Sequence, residues 1–360
     1  MLQEQARSSP HVELVVVDIA MRWRSIHEQS RSRRVVAGAR QLARAVVDLS
    51  LTLLRRRPDL VHLRSSGGLG AVRDLVLMAI TRAVRLPLVV QLHFGRIPQI
   101  AASNSVEWRL LAQVMRHATT VIVLDKATES AIRSRLPGVA VTRMPNGVDL
   151  DGLPDVGSPG EHDGPRTVLF VGWVLASKGV EDLLVAWRDV ADPGWELVVA
   201  GPCDETYLEA LRSMFAPLTG VSFVGELAHP AVLRMMAACD IFVLPSHTEG
   251  FPNVVAEAMA MGRAVLSTDV GAVGEMLDDR CGVVVAPGRP AELSSALATL
   301  MAEPSHRREL GDRARSRAFR EYSLASVFDR YLELWHRAGA GRGAAQVPVP
   351  ADQRSTSAMP

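Results

Sequence analysis

IFVLPSHTEGFPNVVAEAMAMG, residues 241–262, decides the fold. Four β-favouring apolar residues, Ile241–Leu244, end at Pro245, and a helix-period run, Val254–Met261, follows after a turn. Pro252 in the turn Gly250-Phe251-Pro252 suits the first turn of a helix. A strand apolar at every position is buried on both faces, and such a strand leading into a helix is the repeating unit of a parallel sheet.

The same alternation runs outward in both directions. Strands are expected upstream at Val12–Asp18, Leu60–Leu63, Leu88–Leu92, Thr120–Leu124 and Ala140–Met144, then at Thr167–Val171, Glu196–Ala200 and Val221–Val224. Downstream they are expected at Ala264–Thr268 and Gly282–Val285. Helical patterns fill the intervals: Ala39–Arg56, Val72–Val84, Val106–Arg116, Lys126–Ser134, Gly179–Asp189, Thr206–Phe215, Pro230–Ala237 and Pro290–Ala302. This is an α/β protein with two doubly wound, Rossmann-like sheets.

The pattern breaks once, in PNGVDLDGLPDVGSPGEHDGPR (145–166), which is rich in Pro, Gly and Asp. The expected organisation is a first domain over 1–146, a linker over 147–166 and a second domain over 167–322. A C-terminal helix over 323–337, expected to cross back to the first domain, and a low-complexity, disordered tail over 338–360 complete it. A doubly wound domain ordinarily opens with an apolar strand and a glycine-rich turn. Only MLQEQARSSPH precedes the first strand here, so the first domain is expected to lack its opening strand. The reading frame is therefore expected to extend upstream by about 25–40 residues, room for a strand, a turn and most of a helix.

Composition narrows the function. The chain has 360 residues, 48% hydrophobic and 22% charged, an ordinary globular balance. No apolar run reaches the roughly 18–20 residues of a membrane span, and the N-terminus has no signal-peptide core, which favours a cytoplasmic protein. The net charge of +1 hides two opposed halves: residues 1–146 carry +12 and residues 147–360 carry −11. Arg31, Arg33, Arg34, Arg40, Arg44 and Arg55–Arg57 make the first half basic, which suits peripheral contact with an anionic membrane or merely a solvated face. Aromatics at 5% and no recognition-helix pattern argue against nucleic acid. Cys203, Cys239 and Cys281 have no metal-binding spacing and read as small buried hydrophobes.

The chemistry-bearing residues sit at strand ends. The first N–H groups of the 253–261 helix form an anion site. Glu249 and Glu257 bracket it; carboxylates there suit ligand hydroxyls, or simply the positive end of a helix. Lys178 is one of only two lysines and stands at a strand-to-helix turn, placed to neutralise a diphosphate or else merely solvated. His93, just past a strand end, is either a cleft residue or a capping histidine. Gly67 and Gly68 in SSGGLG (65–70) allow close ligand approach or form a plain tight turn. Asp149-Leu150-Asp151 has a metal-binding spacing but lies in the linker, so no metal is assigned.

Together these residues resemble glycosyltransferase family 4, the retaining, group 1 enzymes of GT-B fold. Glu249 and Glu257 within EGFPNVVAE match that family's paired glutamates. RPDLVHL (57–63), VVQLHFG (89–95), PNGVDL (145–150), LFVGWVLASKGV (169–180), LVVAGP (197–202), VSFVGEL (221–227) and GVVVAPG (282–288) fall in family order. The resemblance implies two Rossmann-like domains facing across a cleft, a nucleotide-diphospho-sugar donor on the second and a glycan or lipid-linked acceptor on the first, near Gly67 and Gly68. It implies a hexosyltransferase of polysaccharide biosynthesis that needs no metal and no cofactor. Glu257 would bind the donor ribose. Glu249 would meet the transferred sugar. Lys178 and the backbone of Gly250, Phe251, Pro252, Asn253 and Val254 would hold the diphosphate. Gly172, Trp173, Gly225 and Glu226 would line the donor site, and His93 would stand near the anomeric carbon. Trp173 departs from the family, which commonly has Arg there. That departure leaves an alternative open: a non-catalytic sugar-nucleotide-binding or scaffold protein.

Overall fold

The computed structural model describes residues 5–6, 9–19, 31–68, 70–150, 152–154, 165–217 and 219–340, with side chains of the first helix from residue 38 onward. Most of the linker, Asp151, the side chains of Arg31, Arg33 and Arg34, and residues 341–360 of the tail lie outside the described residues.

Helix α1 (Arg31–Arg56) leads into a four-stranded parallel sheet of β1 (Val61–Ser65), β2 (Leu88–Leu92), β3 (Thr120–Val123) and β4 (Val141–Arg143), in that order. Helices α2 (Gly70–Ala83), α3 (Ile97–Ala102), α4 (Val106–Arg116) and α5 (Lys126–Arg135) connect the strands. Asp125 caps α5 by accepting a hydrogen bond from the Thr128 N–H at 2.7 Å. The expected strand Val12–Asp18 does not form. The segment pairs with no strand among the described residues, and Leu14, Val15 and Val16 are exposed. Without a neighbour's ladder bonds, its β-rich composition alone does not make it a strand. No described strand pairs with the outer edge of β1.

The second sheet has six parallel strands: β5 (Arg166–Val171), β6 (Trp195–Ala200), β7 (Val221–Gly225), β8 (Ile241–Leu244), β9 (Ala264–Thr268) and β10 (Val283–Val285). Their order is β10-β9-β8-β5-β6-β7, so the direction of winding reverses between β5 and β8. A one-turn 3-10 helix, Ala176–Lys178, precedes α6 (Val180–Val190); α7 (Glu205–Met214), α8 (His229–Ala238), α9 (Asn253–Ala260), α10 (Val273–Met276) and α11 (Pro290–Ala302) follow.

Helix α12 (Pro304–Glu321) was not legible in the sequence pattern. Its buried stripe includes the small residues Gly311, Ala314 and Ala318 rather than a row of large apolar ones. A Cβ on Gly311 would fall 2.1 Å from the Gly262 carbonyl oxygen, so the stripe is small because the backbones nearly touch. The last helix, α13 (Leu324–Gly339), leaves the second domain and packs on the first sheet. Its Val327, Phe328, Tyr331, Leu334 and Trp335 share a buried cluster with Val89, Ile122 and Met144. Gln91, buried mid-strand in β2, donates to the Tyr331 hydroxyl at 2.6 Å, and Trp335 Nε1 donates to His62 Nδ1 at 3.2 Å.

Candidate active site

The loops after β5 and β8 leave neighbouring strands at the point where the sheet reverses, which is where open α/β sheets hold ligands. Gly179 brings the two loops together. Its φ is +69°, and a Cβ there would fall 1.9 Å from the Pro245 carbonyl oxygen. Only glycine satisfies both the left-handed turn and that approach. Lys178, one residue earlier, thus reaches the β8 loop and donates to Glu249 Oε1 at 2.6 Å. Ser246 Oγ donates to the same oxygen at 2.7 Å.

Helix α9 begins at Asn253. The Val255 N–H turns back to the Pro252 carbonyl at 3.1 Å, so the helix start offers the N–H groups of Asn253 and Val254. The side chains of Phe251 and Pro252 are buried, and Phe251 stacks edge-on against Tyr322 at 5.4 Å between centroids, so only their backbone is left to face a ligand. Of the backbone groups expected at the diphosphate, that of Pro252 has no N–H to offer. Gly250 lies where the two domains touch: a Cβ there would be 3.4 Å from the Gly95 nitrogen and 3.6 Å from the His93 carbonyl. A Cβ on Gly95 would fall 1.6 Å from the Glu249 carbonyl.

Glu257, on the second turn of α9, is 7% exposed, and burial raises its pKa above the ordinary carboxylate value. His229 Nε2 donates to it at 3.0 Å and opposes that rise. Gly225 and Glu226 lie exposed at the end of β7, on the stretch that runs into His229. Trp173, after Gly172 at the end of β5, is 62% exposed.

Across the domain contact, His93 follows β2, and its backbone N–H donates to the Ser65 carbonyl at 3.1 Å. Arg64 Nε donates to its Nε2 at 2.8 Å. Burial, with Arg64 and His62 beside it, pushes the imidazole pKa down to about 3. Gly67 and Gly68 both take positive φ, and the Gly68 N–H donates to Glu107 Oε1 at 2.5 Å. Arg96 holds the same carboxylate at 2.8 Å. Among the described residues no group of three or more His, Cys, Asp or Glu side chains could hold a metal ion.

The structure therefore brings Lys178, Glu249, Gly250 and His93 to one place. Glu257 joins the β7 end through His229. Sequence reasoning missed Arg64, Ser246 and His229. A lone charge near the end of the strand VHLRS and a histidine in the helix-opening turn ELAHP were the available signals. It also missed Glu275, which accepts from the Lys126 backbone N–H at 2.6 Å and pairs with Arg143 across the domains. No motif marks that glutamate.

A family model described as glycosyl transferases group 1 matches residues 165–303, and one described as Glycosyltransferase Family 4 matches residues 6–151. The chain is 26% identical over 301 residues to the alpha-D-kanosaminyltransferase of Streptomyces kanamyceticus, covering 78% of this chain and 77% of that protein. It is 29% identical over 219 residues to a glycogen synthase of Mycobacterium tuberculosis. That match covers 59% of this chain, and the chain spans about half the length of that relative, 53%. Among solved structures, Anabaena HepE in complex with UDP-glucose superposes with a TM-score of 0.67 at 20% identity, covering 82% of this chain and 83% of that one.

Proposed function

Because the chain belongs to the group 1 glycosyltransferases, family 4, with the GT-B fold, we propose that it moves a sugar from a nucleoside diphosphate to a glycan hydroxyl with retention at the anomeric carbon. The observation that carries this reading is the meeting of Lys178 and Glu249, from the two loops at the switch point, against His93 and Gly95 of the other domain.

Each group has a task in that reaction. The Lys178 ammonium and the N–H groups of Asn253 and Val254 hold the diphosphate and stabilise the charge it gains on leaving. Glu249 accepts from hydroxyls of the transferred sugar once Lys178 turns to the phosphates. Glu257 accepts from the ribose. The acceptor oxygen forms its bond to the anomeric carbon on the face the diphosphate leaves, and its proton passes to the departing phosphate oxygen. No enzyme nucleophile and no metal take part in this scheme.

The basic first half favours a lipid-linked acceptor at the inner face of the plasma membrane, in cell-surface polysaccharide synthesis. On α1, Ala45, Leu49 and Leu53 face the core, while Val47, Leu51 and Leu54 form a second, exposed apolar row, with Arg40, Arg44 and Arg55–Arg57 along the helix and at its end.

Thermal shift with UDP-, GDP- and ADP-sugars, followed by a transfer assay with the one that binds, tests the proposal. A ligand at 100 times its dissociation constant should stabilise by about 2.7 kcal/mol. No shift with any nucleotide sugar would remove the reading. The exposed Trp173, in place of an arginine, favours a second one: a non-catalytic nucleotide-sugar binder. Stabilisation without transfer or donor hydrolysis would decide for it.

A further inference from the structure

We propose that Arg64 is a positioning residue that holds His93 as a fixed, neutral hydrogen-bond donor, with the one ring proton on Nδ1. The inference rests on the proposed reading of His93 as a cleft residue, and it adds what kind of chemistry His93 performs there.

Arg64 is a donor that cannot change state. An arginine side chain stays protonated in proteins and has no acceptor atom. Arg64 Nε lies 2.8 Å from His93 Nε2, so that ring nitrogen must present its lone pair. A neutral imidazole carries its single proton on the other nitrogen, here Nδ1. To become an imidazolium, His93 would have to protonate Nε2 and face the guanidinium with a second donor and a second positive charge. The backbone gives the ring no way round this. Arg64 and Ser65 are adjacent on β1, and Ser65 accepts the His93 N–H at 3.1 Å, so one strand end anchors both backbone and ring.

The other titratable groups nearby do not reverse the sign. His62, two residues before Arg64, is itself buried, with its pKa lowered to about 4 by burial and by Arg64. Tyr331 of α13 lies beyond it as a neutral phenol, its pKa raised to about 12 by burial. Across the domain contact, the Glu249 carboxylate is already held by Lys178 and Ser246.

The consequence separates two kinds of enzyme. A histidine that shuttles protons leaves its own ionisation in the pH–rate profile. A clamped donor leaves none, and it aims one N–H at a sugar oxygen. His93 contributes that single hydrogen bond, and the acceptor's proton goes elsewhere.

Histidine nitrogen NMR of the 15N-labelled full chain without ligand is the test, with His93 assigned by difference from His93→Gln. The expected wild-type spectrum has a protonated Nδ1 and an unprotonated Nε2 for His93, unchanged between about pH 5.5 and 8.5, on either side of the ordinary histidine value. In Arg64→Met, which keeps the stem and removes donor and charge, the ring should populate both tautomers and take up a proton more readily, while burial still holds its pKa below the ordinary histidine value. Its kcat should fall about tenfold and its pH profile should change on the acid side, with donor KM unchanged, as expected for one lost hydrogen bond in the transition state. Arg64→Lys, which keeps a permanent donor, should restore part of both. A wild-type His93 that titrates near neutrality, or carries its proton on Nε2, overturns the proposal. So does an Arg64→Met variant with unaltered tautomer and profile. These spectra are read without donor or acceptor, so they stand whether or not the nucleotide-sugar panel succeeds.

Discussion

At the residue scale the site holds its charges against one another. Lys178 and Glu249 form an ion pair, which on the proposed reading the donor opens. Lys178→Ala removes the point charge that the proposal sets against the leaving diphosphate. The expected loss in kcat/KM is roughly a hundredfold, about 2.7 kcal/mol, measured by initial rates. Glu249→Gln keeps the shape and should lower kcat more than it weakens donor affinity. Glu257 makes a prediction about stability as well as binding. Burial raises its folded pKa above the ordinary value of 4.5. The folded state therefore holds the proton more tightly than the unfolded chain does. Stability from this group is fully present below 4.5 and is lost as pH rises through the folded pKa. Glu257→Gln should gain Tm relative to wild type at pH 7.5 but not at pH 4.5, in paired calorimetric scans, while weakening donor binding.

At the element scale the alternation of apolar strands and helices was readable because the inner strands of a parallel sheet are buried on both faces. β2 and β8 show this most plainly, with all residues buried. Val12–Asp18 was misread because composition reports what a strand can be, and pairing decides whether it is one. α12 escaped because backbone proximity selects Gly311 and Ala314, which carry no hydrophobic signal. Gly311→Ala should cost about 1–3 kcal/mol, since its Cβ meets a carbonyl that cannot swing aside. Gly38→Ala on α1, with nothing within 4 Å of the new methyl group, should stabilise by about 0.5–1 kcal/mol. Urea unfolding of the two variants checks both signs together. The exposed row of α1 predicts flotation with anionic vesicles at low salt. Leu51→Ser with Leu54→Ser should abolish it without shifting Tm; flotation that persists would exclude this helix as the contact.

At the scale of the whole molecule, the described residues join the domains, besides α13, by polar pairs and close backbone approaches. Glu275 caps α5 and pairs with Arg143, Asn146 donates to Asn253 at 2.9 Å, and Gly95 presses on the Glu249 carbonyl. The Glu275 and Arg143 side chains are partly exposed, so their pairing is screened and worth at most about 1 kcal/mol, roughly a fivefold shift between open and closed forms. Glu275→Ala should enlarge the radius of gyration in small-angle scattering and raise donor KM a few-fold. An unchanged radius would mean that the other contacts suffice. Much of the site was legible from strand-end glycines, one scarce lysine and two glutamates. The interdomain residues were not, because Glu275 and Arg143 acquire their roles only when two separately folded surfaces meet.

The last helix crosses from the second domain and completes the first, so the linear map of the gene and the map of the fold do not coincide. Exchange of halves between related genes at the linker would carry a sheet away from the helix that covers it. Tyr331 would lose Gln91, Trp335 would lose His62, and the buried row Val89, Ile122 and Met144 would meet a stranger's side chains. Recombination that exchanges the first sheet with its covering helix must therefore take two separate segments at once, 31–146 and 324–339. Where only one crossover is available, the helix has to co-evolve with a partner encoded about 200 codons away.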